Sequence, residues 1–296
     1  MVRFKSPGNW VRAADNDWQC YDRARGLDFF SPTWDPPALR PHYACLPFFG
    51  YLAVLLIAHR GASGHAPENT LAAFKKAVTL GATFIETDLQ LTRDARLVAI
   101  HDETVNRTTN GKGSVREMTL ADLRRLDAGS WFGSEFSGER IPTLEEVLDF
   151  AKKYDVIFYL EMKPGGSRGG EHTLIGALRQ SGEIARTIII SFDAAILANV
   201  RKIEPTLMTA LLYDGQIEKP LDQALKVGAR QLAIRGDLIS PALLTAAREK
   251  DLQVVCWTVN HSAHMRLLMD AGVDGIMSDY PDRLAATAKT AKLKHS

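Results

Sequence analysis

Glu86 and Asp88 stand two residues apart within the apolar run Thr83–Leu89, and Glu161 and Lys163 repeat that spacing at the end of Val156–Met162. Residues two apart on an extended strand share a face, so Glu86 and Asp88 point one way and Thr87 the other. Three carboxylates converging on one site repel strongly unless a cation or protons neutralise them. Hard oxygen donors suit Mg2+ or Ca2+ rather than a soft metal. With a divalent ion, the three carboxylates keep about one negative charge, and Arg60 and Lys163 reverse it to about one positive charge. A single phosphodiester offsets that balance, which is a physical reason to expect a phosphate ester. His59 and His101 are the residue type suited to act as general base and general acid, activating a nucleophile and protonating a departing alkoxide.

Singly, these residues carry little weight. A lone Glu-x-Asp is ordinarily a solvated face, a single histidine a satisfied structural residue, and a single tryptophan such as Trp257 part of a core. Their positions set them apart: His59-Arg60-Gly61 follows Val54–Ala58, the acidic pairs close two further apolar runs, and Trp257 lies near the end of Gln253–Thr258. Independent surface placement rarely puts so many polar groups at matching strand ends.

The elements that must position them are readable from Val54 onward. Strand-like runs occur at Val54–Ala58, Thr83–Leu89, Val156–Met162, Thr187–Ser191, Leu207–Leu212, Gln231–Ile234, Gln253–Thr258 and Asp274–Met277. They alternate with amphipathic helical stretches, a pattern that demands a parallel sheet with helical crossovers. Eight such units point to a closed (β/α)8 TIM barrel, an α/β fold whose chemistry sits at the carboxyl ends of the strands. An open doubly wound sheet is the rival, because periodicity does not register closure. Leu71, Phe74 and Val78 mark one helix face, Thr143 with Glu146 forms a capping box, and Ser240-Pro241 starts another helix.

Leu97 to Arg140 breaks the rhythm with more residues than a simple connection requires. An extended arm is expected over Leu97–Ile100, delivering His101, and a short helix over Leu120–Leu126. The remainder, about 102–140, reads as a small insertion over the barrel mouth. Residues 1–52 hold six of the thirteen prolines and three of the five tryptophans without periodicity. They read as an irregular N-terminal extension to a barrel domain over 53–296.

Composition bounds the rest. Thirty-six basic and thirty-five acidic residues leave no field favouring nucleic acid or an anionic surface. Cys20, Cys45 and Cys256 fit neither a disulfide framework nor a zinc site, so a reducing cytoplasm is the default. The longest apolar run, Leu46–Ala58, contains Pro47 and Gly50 and falls short of the roughly 20 residues a spanning helix needs. Membrane association is not expected, although Phe48, Phe49 and Tyr51 are interface-friendly side chains.

Taken in order, His59-Arg60-Gly61, Pro67-Glu68-Asn69-Thr70, Glu86-Thr87-Asp88, His101-Asp102, Glu161-Met162-Lys163 and Trp257-Thr258-Val259-Asn260 resemble the glycerophosphodiester phosphodiesterase family. The likeness runs from about Leu55 to the C-terminal region, and the ordered set is far more specific than any one motif. It implies that Glu86, Asp88 and Glu161 bind a divalent cation, that His59 and His101 do acid–base work, and that Arg60 and Lys163 hold phosphate. Trp257 would border the substrate pocket. The implied substrate is a small glycerophosphodiester, cut to glycerol 3-phosphate and an alcohol. Glu68 and Asn69 match the family motif but also stand where the first helix needs a cap. Residues 1–52 have no counterpart in the resemblance. Two alternatives stay open: a phospholipase D-like enzyme acting on lysophospholipid or sphingomyelin, which Trp131, Phe132 and Phe136 keep in play, and a non-catalytic phosphate-binding barrel.

Overall fold

The computed structural model describes residues 11–12, 18–19 and 54–292. The chain divides into two compact units, Met1–Phe48 and Phe49–Ser296. In the first, Val11–Arg12 pairs antiparallel with Trp18–Gln19. The irregular extension expected over 1–52 otherwise falls outside the described residues, as do Cys20 and Cys45.

The second unit is built on eight parallel strands: β1 (Leu55–Ala58), β2 (Phe84–Leu91), β3 (Ile157–Met162), β4 (Thr187–Ser191), β5 (Met208–Tyr213), β6 (Gln231–Arg235), β7 (Gln253–Trp257) and β8 (Gly275–Ser278). Each pairs with the next, and β8 pairs back onto β1, Gly275 opposite Leu55 and Ser278 opposite Ala58. The ring is closed, so the open-sheet alternative is set aside. Helices α1 (Leu71–Thr79), α2 (Leu144–Tyr154), α3 (Glu171–Ser181), α4 (Ala194–Ile203), α5 (Pro220–Lys226), α6 (Pro241–Glu249), α7 (Ser262–Ala271) and α8 (Pro281–Lys292) follow the strands in turn.

Alternation along the strands makes two cores. Ile57, Tyr159, Ile188, Ile190, Ala210, Leu212, Ala233, Val255 and Met277 pack together inside the ring. Their neighbours in sequence, such as Ala58, Phe158, Leu160, Ile189 and Leu211, join the layer beneath the helices. There Phe74 of α1 meets Phe150 of α2 and Phe158 of β3 edge-to-face at 5.8 and 5.3 Å. The helix starts read from sequence recur: Thr143 and Glu146 form a reciprocal capping box, and Ser240 accepts from the Leu243 amide with Pro241 in the first turn.

Two boundaries shift by more than one residue, each for a local reason. Strand β2 continues to Leu91 rather than ending at Leu89, because Leu89–Leu91 pairs antiparallel with Leu97–Ala99. The helix expected over Leu120–Leu126 stops at Leu123: the Arg125 and Leu126 amides donate three residues back, to Asp122 and Leu123, so the chain tightens into turns. Val98, Ile100, Val105, Val115, Leu123, Ala128 and Ile141 form a small core of their own beneath the insertion. The arm ending at His101 is thus anchored on both sides.

Candidate active site

Strands β2 and β3 run parallel with Asp88 opposite Glu161, so the acidic residues of both strands arrive at one height. Glu86 and Asp88 are each 1% exposed and Glu161 is buried beside them; one oxygen from each lies within 4.8 Å of the others. Lys163 Nζ stands 2.8 Å from both Asp88 Oδ1 and Glu161 Oε1, yet neither oxygen accepts a well-directed hydrogen bond. Contact with the ammonium supplies charge but leaves lone pairs open. Arg60 adds a second cation, with Nε 3.3 Å from Asp88 Oδ2, and its backbone amide donates to Glu86 Oε2 at 2.9 Å. That amide points inward because the His59-Arg60-Gly61 turn puts Arg60 at φ 55° and Gly61 at φ 80°. A side chain at Gly61 would stand under 3 Å from Ala73, so the turn needs glycine there.

The charges are unevenly served. Burial would raise Asp88, but Lys163 and Arg60 outweigh it and hold the carboxyl far below its usual range. Glu86 goes the other way, raised well above its usual value by burial and by repulsion from Asp88 and Glu161. Burial likewise pushes Glu161 up to about 7, Lys163 opposing and Asp88 adding to it. The trio therefore lacks positive charge, and its donors are all hard oxygens. Both properties fit a divalent cation of the Mg2+ or Ca2+ kind.

Asn69 supports this cluster from behind. Its amide donates to Asp88 Oδ2 at 2.8 Å, while its carbonyl accepts from Thr87 Oγ1 at 2.7 Å and from the Asp88 amide at 3.2 Å. The capping role open to Glu68 and Asn69 belongs instead to Thr70, whose hydroxyl accepts from the Ala73 amide at the start of α1. The physical reason is backbone geometry: Asn69 is left-handed at φ 57°, whereas Thr70 has the extended backbone a cap requires. Glu68 pairs with cations, meeting Arg60 Nη1 at 2.8 Å and Arg107 Nη1 at 2.7 Å.

Both histidines reach the same mouth, and both are tied at Nδ1. His59 Nδ1 lies 2.7 Å from Asp279 Oδ1, and Asp279 is itself held by Ser63 Oγ at 3.0 Å and Asn260 Nδ2 at 2.6 Å. His101 Nδ1 lies 2.8 Å from Asp102 Oδ1, and Asp102 accepts from Arg107. A carboxylate on Nδ1 favours the tautomer protonated there and leaves Nε2 to exchange protons with a bound molecule. His59 Nε2 is 3.9 Å from Glu86 Oε2. Burial and the Lys163 and Arg60 cations hold the His101 imidazolium below the usual histidine range, despite Asp88 and Asp102. Trp257 ends β7; its indole donates to Ala233 O at 2.9 Å and its ring meets Phe192 edge-on at 5.6 Å.

Of the eight residues singled out from the sequence, His59, Arg60, Glu161, Lys163 and Trp257 lie at or just past strand ends and His101 follows the arm, whereas Glu86 and Asp88 sit inside β2 rather than closing it, because that strand runs on to Leu91 to pair with the arm. Asp279 was missed, although it follows β8 directly and the same strand-end criterion would have found it. Arg107 was missed for a different reason: it lies inside the irregular insertion, where no periodicity marks it.

A closed parallel barrel carrying a buried carboxylate trio, two cations and two carboxylate-oriented histidines at its carboxyl mouth defines a TIM-barrel phosphoric diester hydrolase. The chain belongs to the glycerophosphoryl diester phosphodiesterase family, whose sequence profile matches residues 59–283. It is 43% identical over 235 residues to a glycerophosphodiester phosphodiesterase of Caldanaerobacter subterraneus subsp. tengcongensis, covering 79% of this chain and 97% of that one. A Bacillus subtilis glycerophosphodiester phosphodiesterase is 37% identical over 248 residues, covering 77% and 84%. Among solved structures, an Agrobacterium tumefaciens glycerophosphodiester phosphodiesterase superposes with TM-score 0.71 at 30% identity, covering 79% and 100%. An Oleispira antarctica phosphodiesterase, in complex with the product sn-glycerol-3-phosphate, superposes with TM-score 0.75 at 28% identity, covering 84% and 99%.

Proposed function

We propose that the barrel hydrolyses small glycerophosphodiesters to glycerol 3-phosphate and an alcohol, with a divalent cation at Glu86, Asp88 and Glu161 and with His59 and His101 sharing the proton transfers. The observation that carries this reading is the pair of histidines, each fixed at Nδ1 by its own carboxylate, at the mouth that holds the acidic trio. When bound, Mg2+ or Ca2+ would supply charge neutralisation and polarise a phosphoryl oxygen. Arg60 and Lys163 would hold the phosphodiester, and Trp257 would border the organic part of the substrate. His59, with Asp279 behind it, would take a proton at Nε2 from the attacking water, or from the glycerol hydroxyl if a cyclic phosphate forms first and water then opens it. His101, on the arm, would deliver a proton to the leaving alkoxide. The product carried by the Oleispira antarctica relative supports the glycerol phosphate half of the substrate. A cytoplasmic setting belongs to the same reading; among the described residues no helix is long and apolar enough to cross a membrane.

The substrate itself reports the division of labour, because a nitrophenolate departs with little protonic help and an alkoxide does not. His59→Ala and His101→Ala should each lower glycerophosphocholine turnover by about 10²- to 10⁴-fold. Only His101→Ala should recover on a nitrophenyl phosphodiester; equal losses of both variants on both substrates would rule out separate roles. Glu86→Gln or Asp88→Asn should remove most turnover and weaken cation binding while leaving a folded barrel. Full activity after exhaustive chelation would take the metal out of the mechanism.

A lipid substrate is the second reading, favoured by Trp131, Phe132 and Phe136 of the insertion, which meet edge-to-face, with Trp131 40% and Phe132 37% exposed. A requirement for micelles would support it.

A further inference from the structure

We propose that Arg107, inside the insertion, is a positioning residue that fixes His101 by gripping Asp102, with Glu68 as its anchor on the barrel. The inference rests on the proton-transfer role proposed above for His101.

The guanidinium makes two forks at once. Toward Asp102, Nε meets Oδ2 at 2.9 Å and Nη2 meets Oδ1 at 2.9 Å. Toward Glu68, Nη1 meets Oε2 at 2.7 Å and Nη2 meets Oε1 at 2.8 Å. Asp102 Oδ1 is also the oxygen facing His101 Nδ1, and Glu68 Oε1 is also the oxygen accepting from Arg60 Nη1. A continuous chain therefore runs from His101 through Asp102, Arg107 and Glu68 to Arg60, the cation beside Asp88.

His101 needs such a tie. Its backbone is held, the Ile100 amide donating to Asp88 O at 3.0 Å and Gln90 Nε2 donating to His101 O at 2.8 Å, but among the described residues the hydrogen-bond partner of its ring is the side chain next to it, Asp102. A carboxylate on an adjacent residue swings about its own bonds, and the imidazole swings with it. Two in-plane bonds from a guanidinium stop that rotation, which a lysine ammonium, being a point charge, does not. Stability alone does not account for the arrangement: the Arg107 side chain is 44% exposed, and exposed ion pairs add little to folding. Orientation is what a planar double fork supplies.

The test uses the full chain loaded with divalent cation. Arg107→Ala should lower kcat on glycerophosphocholine by about 10- to 100-fold, the scale of a misplaced reacting group, with KM changed less than about threefold. Arg107→Lys should restore little, whereas millimolar guanidinium ion should partly rescue Arg107→Ala. In a His101→Ala background the Arg107→Ala change should cost less than about twofold, since a residue acting through His101 has nothing left to position. Nitrogen-15 spectra of the histidines should show the single His101 tautomer giving way to a mixture in Arg107→Ala. If that variant melts early, Asp102→Asn tests the same coupling without touching the Glu68 anchor. An equal loss in both backgrounds, or an unchanged His101 spectrum, would overturn the proposal and leave Arg107 a clamp between insertion and barrel. The acid assignment fails separately, if His101→Ala alone does not recover on a nitrophenyl diester; the coupling measurement still decides Arg107.

Discussion

Burial alone would raise the Asp279 carboxyl, but hydrogen bonds from His59, Asn260 and Ser63 outweigh it and hold the group at about 2. Because the folded value lies below the ordinary 3.8, the contribution to stability is fully present above about pH 4 and is lost as pH falls toward 2. The shift corresponds to up to about 2 kcal/mol. Urea melts of the native chain and of Asp279→Asn should therefore differ at neutral pH and converge near pH 2; a gap independent of pH would dissociate the ionisation of Asp279 from stability. Asn69 poses the complementary case, a buried neutral group serving a charged one. Asn69→Ala leaves Thr87 and Asp88 short of partners and should cost about 1–3 kcal/mol in the same melts. It should also weaken cation binding, because Asp88 loses the amide that aims it. Glu86, Asp88, Glu161 and Lys163 were legible because a two-residue period places side chains on one face. Sequence left Asn69 open between the family motif and a helix cap, because its left-handed backbone, which passes the cap to Thr70, has no local signature.

Among the elements, those with strong local chemistry were readable and those shaped by a neighbour were less so. The α2 capping box is local, Thr143 and Glu146 serving each other's backbone amides. Thr143→Ala should lower stability by about 1 kcal/mol, measured by thermal melting, with kcat unchanged. The end of β2 depended on the arm that folds back to pair with it, and the end of the one-turn helix Leu120–Leu123 on a change of hydrogen-bond pitch; they were displaced by two and three residues. Strand β1 tests the ring itself. It pairs with β2 on one side and β8 on the other, so deleting through residue 58 opens the barrel on both edges. Loss of a cooperative melt is expected; a deletion that still melts cooperatively would mean that another segment replaces β1.

For the whole molecule, the proposal assigns catalysis to the barrel and none to residues 1–50. A variant lacking them should stay soluble and active with the same cation dependence, and an inactive or insoluble product would show that the extension completes the fold or the site. Turnover of glycerophosphocholine should need no micelles; a strict requirement for them would turn the substrate reading toward lipids. The class of fold was already determined by eight apolar runs separated by helical spacing, since buried parallel strands and amphipathic helices follow from local periodicity. The identities of the strand-end acids, cations and histidines were equally a property of sequence, and so was their likeness to a family of phosphodiesterases. Closure of the ring was not, because β8 meets β1 more than two hundred residues away and no local pattern records that pairing. Nor were the partners that tune the site: Asp279 reaches His59 across 220 residues and Glu68 reaches Arg107 across 39. Hydrogen bonds and charge–charge contacts depend on distance in space, which the chain acquires only when the barrel closes and the insertion settles on its mouth.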